Sequence, residues 1–245
     1  MTVRGSVLAE LTWLEAEKVL TREAIVVLPL GAAAKEHGPH LRLDNDLRMA
    51  DGLVRRVLAE RDVVVAPALT YHHYPAFVDY PGSTTLREET ARDLVIDIVK
   101  SLAHHGPRRF YVLNTGISTR APLAAASEAL AREGIVLRFT DLGGALRDAE
   151  RATLAQPAGT HADEGETSMM LVLAPERVDM SRAVRDIHER KSFRLTRDPS
   201  QDALYSPTGI YGDPTLATRA KGEVLVDALV RAILSDLDAL RATPL

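Results

Sequence analysis

Four short runs rich in β-branched or aromatic residues, separated by longer stretches of helical period, restrict what this chain can become more than any other feature. They are AIVVLPLG (Ala24–Gly31), DVVVAPALTY (Asp62–Tyr71), RRFYVLNTG (Arg108–Gly116) and GIVLRFTDLG (Gly134–Gly143), each giving way to polar or glycine-containing sequence. Asp46 to Arg61 and Thr85 to His105 carry apolar residues at steps of three and four, the spacing of one helix face. Thr85 and Glu88 have capping-box spacing, with Leu94, Val95, Ile98, Val99 and Leu102 as the buried stripe. Arg120 to Glu133 is an alanine-rich helix stopped by Gly134, and a last helix runs from about Ala217 to Leu240. Alternation of this kind predicts an α/β fold with a mainly parallel central sheet. Ala183 to Gly212, polar and carrying Pro199 and Pro207, reads as an excursion or lid. No repeat or linker divides the chain, so residues 1–245 are expected to form a single domain.

Composition narrows the chemistry. The chain has 0 cysteines, which excludes disulfides, thiolate metal sites and a cysteine nucleophile, so any metal needs nitrogen and oxygen ligands. A net charge of −4 and no basic run argue against nucleic acid as a partner. No apolar segment is long enough for a membrane span, and the first residues lack a secretory apolar region, so a cytoplasmic protein is expected.

In a parallel α/β sheet, ligands bind beyond the carboxyl ends of the strands, where the loops converge. Ionisable groups gather there. Glu36, His37, His40, Asp44 and Asp46 follow the first predicted strand, and His72, His73 and Asp79 the second. The third is followed by NTGIST (Asn114 to Thr119) and the fourth by Asp141. The segment GTHADEGETSMML (Gly159 to Leu171) adds His161, Asp163, Glu164 and Glu166. Imidazole and carboxylate suit zinc, manganese or iron(II), and such an ion lowers the pKa of water to about 7.

Plainer readings apply to several of these residues. His104 and His105 suit a helix C-terminus, and His188 a solvated charged stretch. His72 and His73, beside tyrosines, suit wall packing as well as a site. Lys35 suits a solvated or ion-paired side chain, and Asp141 a helix cap near Gly144. HADEGETS also suits a charged helix start. Spacing alone leaves a metal site and a polar loop both open.

The chain resembles the creatininase (creatinine amidohydrolase) family along most of its length. The resemblance runs from LTWLEAEKVL through LPLGAAAKEHGPHLRLDND, YPGSTTL and GTHADEGETSMML to GIYGDPTLATRAKGE. It implies a one-domain, three-layer α/β sandwich, often a homohexamer, with divalent metal at the carboxyl edge of the sheet. By this resemblance His37 matches a metal-binding histidine, Asp46 the bridging aspartate, and Glu166 a metal-ligating glutamate. His161 matches the histidine near the scissile bond, with Glu164 as a further acid that orients it. An ungapped match puts the family's metal-binding glutamate on Lys35, so adjacent Glu36 is expected to supply that carboxylate through a shifted loop. The family's third-strand histidine falls on Gly116, which has no ligating side chain, leaving His72 or His73 as substitute ligands or substrate wall.

The resemblance thus implies a metal-dependent hydrolase of a cyclic amide or related C–N bond in a small-molecule substrate, holding one or two ions of Zn, Mn or Fe. Two alternatives stay open: a hydrolase of a sugar- or inositol-derived ketone or lactone, and a catalytically impaired ligand-binding member.

Overall fold

A computed structural model describes residues 4–188, 192 and 194–245 of the chain. The central sheet has five parallel strands in the order β1-β3-β2-β4-β5: β1 (Ser6–Val7), β2 (Ile25–Leu30), β3 (Val64–Val65), β4 (Arg109–Asn114) and β5 (Val136–Phe139). Strands β2 and β4 pair along their whole lengths, from Ile25 opposite Arg109 to Leu30 opposite Asn114, and every residue in both is buried. A strand covered on both faces cannot alternate polar with apolar, which explains their continuous apolar runs.

Alternate side chains of those strands serve opposite cores. Ile25, Val27, Tyr111 and Leu113 pack with α2 (Asn45–Glu60), α6 (Glu164–Leu173) and α7 (Arg219–Arg241). Val26, Leu28, Leu30, Phe110 and Val112 pack with α3 (Glu88–Ala103) and α4 (Arg120–Ala131), with α1 (Trp13–Val19) at the margin. Helix α5 (Leu142–Thr153) contributes Leu146 to the first core. The result is the expected three-layer α/β sandwich.

Several boundaries differ from the sequence reading for local reasons. The run Asp62–Tyr71 keeps only two residues of regular strand, although Leu69 still bridges to Leu30. Helix α3 begins at Glu88 after Arg87, and no capping box forms at Thr85, because its hydroxyl is committed to Tyr74 N and Leu86 O. A capping box does form at the start of α1, between Thr12 and Glu15. Asp141 precedes α5 but makes no side-chain cap bond. The excursion contains the short parallel pair β6 (Leu195–Thr196) and β7 (Leu204–Tyr205); residues 189–191 and 193 of it lie outside the described residues. No helix among the described residues is long and apolar enough to cross a membrane.

Candidate metal centre

The glycine that ends the first apolar run sets the site's geometry. Gly31 leaves β2 against the first turn of α2, where a Cβ would lie 2.4 Å from the Asp46 carbonyl oxygen. Only a residue without a side chain permits that approach, and it brings Asp46 to the carboxyl end of the central strand pair. Thr115, at the end of β4, ties the arrangement together by donating its hydroxyl to Leu30 O at 3.0 Å and to Asp46 O at 3.2 Å.

The structure brings His37, Asp46, Glu166, His161 and Glu36 together. His37 is 1% exposed and its Nδ1–H donates to the Lys35 carbonyl at 2.9 Å. That bond commits Nδ1 and turns Nε2 between two carboxylates, 2.8 Å from Asp46 Oδ1 and 3.4 Å from Glu166 Oε1. Three acceptors converge on one point, so a positive species belongs among them: a proton on Nε2, or a metal ion in its place. Burial and the Lys35 ammonium oppose charging of the ring, but Asp46 and Glu166 outweigh them and push His37 up to about 9. Burial alone would raise the Asp46 carboxyl, yet Lys35 and His37 hold it below the usual carboxylate range. Glu166 behaves likewise: burial opposes its charge, and His37 leads the groups that pull its pKa down.

Glu166 is fixed at the first turn of α6. Asp163 accepts from Glu166 N at 2.9 Å as the helix cap, while Glu166 accepts from Asn45 Nδ2 at 2.9 Å and Ala162 N at 2.8 Å. The bond from Ala162 comes from a non-glycine residue at φ 47, a sparsely populated conformation that concentrates at functional sites. The side chain of Glu166 is 16% exposed, more than those of His37, Asp46, His161 or Glu36, so the cluster opens toward water on that side.

His161 Nε2 faces both the Glu36 carbonyl, at 3.0 Å, and Glu36 Oε1, at 2.6 Å. Two acceptors on Nε2 require the proton there, leaving the Nδ1 lone pair on the side of Glu166 Oε2, 3.9 Å away. Phe77 covers the His161 ring at 4.3 Å between centroids. Among the described residues, His37, His161 and Glu166 are the one group of three donors lying within 4.8 Å of one another.

Two expected roles do not match these positions. Glu36 does not face the His37–Asp46 pair: its oxygens accept from His161 Nε2 and Gly38 N, and it stands behind His161. Gly209, at φ +82, presses on it so closely that a Cβ would meet Glu36 Oε2 at 1.8 Å. Glu164 does not orient His161 either. Fully buried, it accepts from Ala155 N and Gln156 N and pairs with Lys221, anchoring the segment before His161. Sequence spacing could not separate these acids, because both lie within a few residues of true neighbours of the cluster.

Neither His72 nor His73 joins the group of close donors. His73 Nδ1 donates to Leu86 O, and His72 packs 6.4 Å from the Tyr74 ring with burial lowering it to about 4. His40, also lowered by burial to about 4, meets Thr167 Oγ1 through Nε2 at 2.8 Å. His104 and His105 are exposed at the end of α3, and His188 pairs with Asp186 at 2.6 Å. Lys35 is not solvated; it is buried and ion-paired to Asp46 at 2.7 Å. Asn45 and Phe77 had no sequence signal beyond their neighbourhood, although Asn45 lies inside the Asp44–Asp46 stretch.

The donor set fits a metal. Tetrahedral zinc takes nitrogen and oxygen ligands at about 2.0–2.2 Å, which places neighbouring donors roughly 3.3 Å apart. The 3.4 Å between His37 Nε2 and Glu166 Oε1 is close to that spacing, and the shorter 2.8 Å to Asp46 Oδ1 suits a shared proton.

A parallel α/β/α sandwich with imidazoles and carboxylates at its carboxyl edge defines the class, and the chain belongs to the creatininase family. The family model described as creatinine amidohydrolase matches residues 9–237. The creatinine amidohydrolase of Pseudomonas putida is 28% identical over 95% of both chains. A mycofactocin precursor peptide peptidase of Mycolicibacterium smegmatis is 31% identical over 84% of this chain and 81% of its own. A solved glutamate-to-glutamine creatininase mutant of Zn–Zn type superposes with a TM-score of 0.79 at 25% identity, covering 97% of this chain and 98% of that one.

Proposed function

We propose that this chain is a metal-dependent hydrolase of an amide C–N bond in a small molecule, acting as a single domain over residues 1–245. The observation that carries this reading is His37 Nε2, aimed between Asp46 Oδ1 and Glu166 Oε1 while its other nitrogen is fixed on a carbonyl. A hydrogen bond from the far ring nitrogen to a carbonyl orients a metal-binding imidazole and sets its tautomer.

His37 and Glu166 would hold the ion, joined by Asp46 once the proton between His37 Nε2 and Asp46 Oδ1 is displaced. Bound there, the ion supplies water of lowered pKa and polarises the scissile carbonyl. His161 receives a proton at Nδ1 and returns it to the leaving nitrogen; Glu36 on Nε2 keeps the ring in the tautomer that leaves Nδ1 free and stabilises the charge that forms there. Glu36 is therefore a positioning residue, and Glu164 a structural one. Phe77, over His161, shields the proton-carrying ring from water.

An amide substrate is favoured because the creatinine amidohydrolase and the peptide peptidase are both named for cleaving C–N bonds. His161, bonded to Glu36 through Nε2 and with Nδ1 on the side of Glu166, provides a proton carrier beside the ion position and supports turnover over a role in binding alone. We further propose a cytoplasmic protein, consistent with its 0 cysteines, that assembles as a homo-oligomer, since Trp13 and Leu14, 75% and 53% exposed, offer apolar surface for an interface to cover. Light scattering checks that assembly.

The test pairs metal content with turnover. His37→Ala should lose both ion and activity, whereas His161→Ala should keep the ion and lose turnover of amide substrates. Unchanged metal content in His37→Ala refutes the ligand assignment, and joint loss in His161→Ala would make His161 a ligand as well.

A further inference from the structure

Asp46 has two oxygens, and each faces a cationic position. Oδ1 faces His37 Nε2 at 2.8 Å, the proposed ion position, and Oδ2 faces Lys35 Nζ at 2.7 Å. The second contact is an ion pair without hydrogen-bond alignment. Lys35 is 5% exposed, with Nζ 4.8 Å from the Phe77 ring centroid and 5.7 Å from that of Tyr74. An ammonium withdrawn from water and roofed by two aromatic faces stays where its countercharge is, because leaving would strand two buried charges.

We propose that the Lys35 ammonium permanently occupies the second of two cation positions around Asp46, so that this chain binds one divalent ion per polypeptide. The proposal rests on the metal-dependent reading above and deepens it. A Zn–Zn creatininase is among the solved relatives, so a fold of this kind can house a pair of ions. Three features of this chain close the second place.

Ligands are missing first. On the Lys35 side, the neighbouring loop brings Gly116, which has no side chain to offer. Space is missing next. A Cβ on Gly116 would already meet Thr119 Cγ2 at 3.2 Å, Thr119 Oγ1 at 3.4 Å and Tyr74 Cε1 at 3.6 Å, so Thr119 and Tyr74 fill the volume beside it. Tyr74 is buried with its hydroxyl unpartnered, and burial raises its pKa, so it presents a neutral phenol rather than an anionic ligand. Charge closes the argument. A divalent ion bound to Asp46 Oδ2 at about 2.0–2.2 Å would stand roughly 5 Å or less from a fixed ammonium, with Asp46 already shared. The ammonium thereby supplies a fixed positive charge that needs no loading from solution.

The test is metal stoichiometry on the full-length protein, reconstituted with zinc and freed of loose ions, read by elemental analysis and by anomalous diffraction. One zinc per chain is expected, with the peak beside His37 Nε2 and none beside Lys35 Nζ. Two zincs per wild-type chain, with Lys35 displaced, would overturn this inference and leave the metal-dependent reading standing; no zinc would overturn both. Lys35→Glu, which exchanges the ammonium for a second carboxylate, should raise the stoichiometry toward two. A folded Lys35→Glu protein that still takes one zinc would show that the ammonium is not what excludes the second ion. The wild-type measurement stands even if that variant does not fold.

Discussion

The loops that follow β2 and β4 leave adjacent strands at the same edge of the sheet, yet they do opposite work. The β2 loop delivers Lys35, Glu36, His37 and Asp46, whose charged groups pair partly with one another and partly with Glu166 and His161 from the segment entering α6. The β4 loop carries no ionisable side chain, and much of its bonding is internal: Asn114 bonds both N–H and carbonyl of Gly116, and Thr119 donates to Asn114 and Gly116. Its outward bonds come from Thr115, which braces Asp46 through the backbone, and from Ser118, which donates to the His73 carbonyl at 2.9 Å. A loop of neutral groups serves as a foundation, and one that carries charges to be balanced by neighbouring segments builds a site.

That contrast breaks most visibly at Asp46. Asp46→Ala should abolish zinc binding and lower turnover by roughly 10³-fold or more, since metal-derived stabilisation is worth several kcal/mol and each 1.36 kcal/mol is tenfold. It should also destabilise the apo protein, because Lys35 and His37 lose their shared countercharge. Calorimetry beside an activity assay reads both, and a fully active Asp46→Ala would end the contrast.

Glu36→Gln comes next. It should retain zinc and lose about 10–100-fold in kcat, the range for groups that orient a site residue. A third expectation concerns pH. His37 is raised in the folded state from an ordinary value of 6.5 to about 9, so the native apo protein binds the extra proton more tightly than the unfolded chain. That stabilisation is complete below pH 6.5 and is lost as pH rises toward 9, so apo Tm should fall by roughly 10 °C across this window. Zinc replaces the proton, so the loaded protein should show a smaller fall. An apo Tm flat over that window would contradict the assigned charge.

The smallest effects belong to the β4 loop. Thr115→Val should cost about 1 kcal/mol of stability for its lost hydrogen bonds while changing turnover only a few-fold. A large loss of activity there would show that the foundation is part of the site.

Much of this was legible in the sequence. Continuous apolar runs announced β2 and β4 because both strands are buried on two faces, whereas β3 was overextended because its run keeps regular pairing for only two residues. The nine-residue step from His37 to Asp46 was readable, and Gly31 explains how it closes. The roles of Glu36, Glu164 and Lys35 were not. Glu164 and Glu166 stand two residues apart on one helical turn, roughly 200° around its axis, and only the tertiary neighbours distinguish them: Lys221 and two backbone amides for one, His37 and Asn45 for the other. Lys35 gained its meaning from Phe77 and Tyr74, more than thirty residues away in sequence.

Gly209 couples two tasks that most enzymes keep apart. Its segment pairs with His161 through the backbone of Tyr211, while Gly209 itself leaves Glu36 no slack. A shift of this stretch would therefore retune the proton carrier along with the wall that encloses it. Substitutions along the 209–212 stretch should move reaction rate together with fit, and engineers seeking to widen substrate range should begin elsewhere.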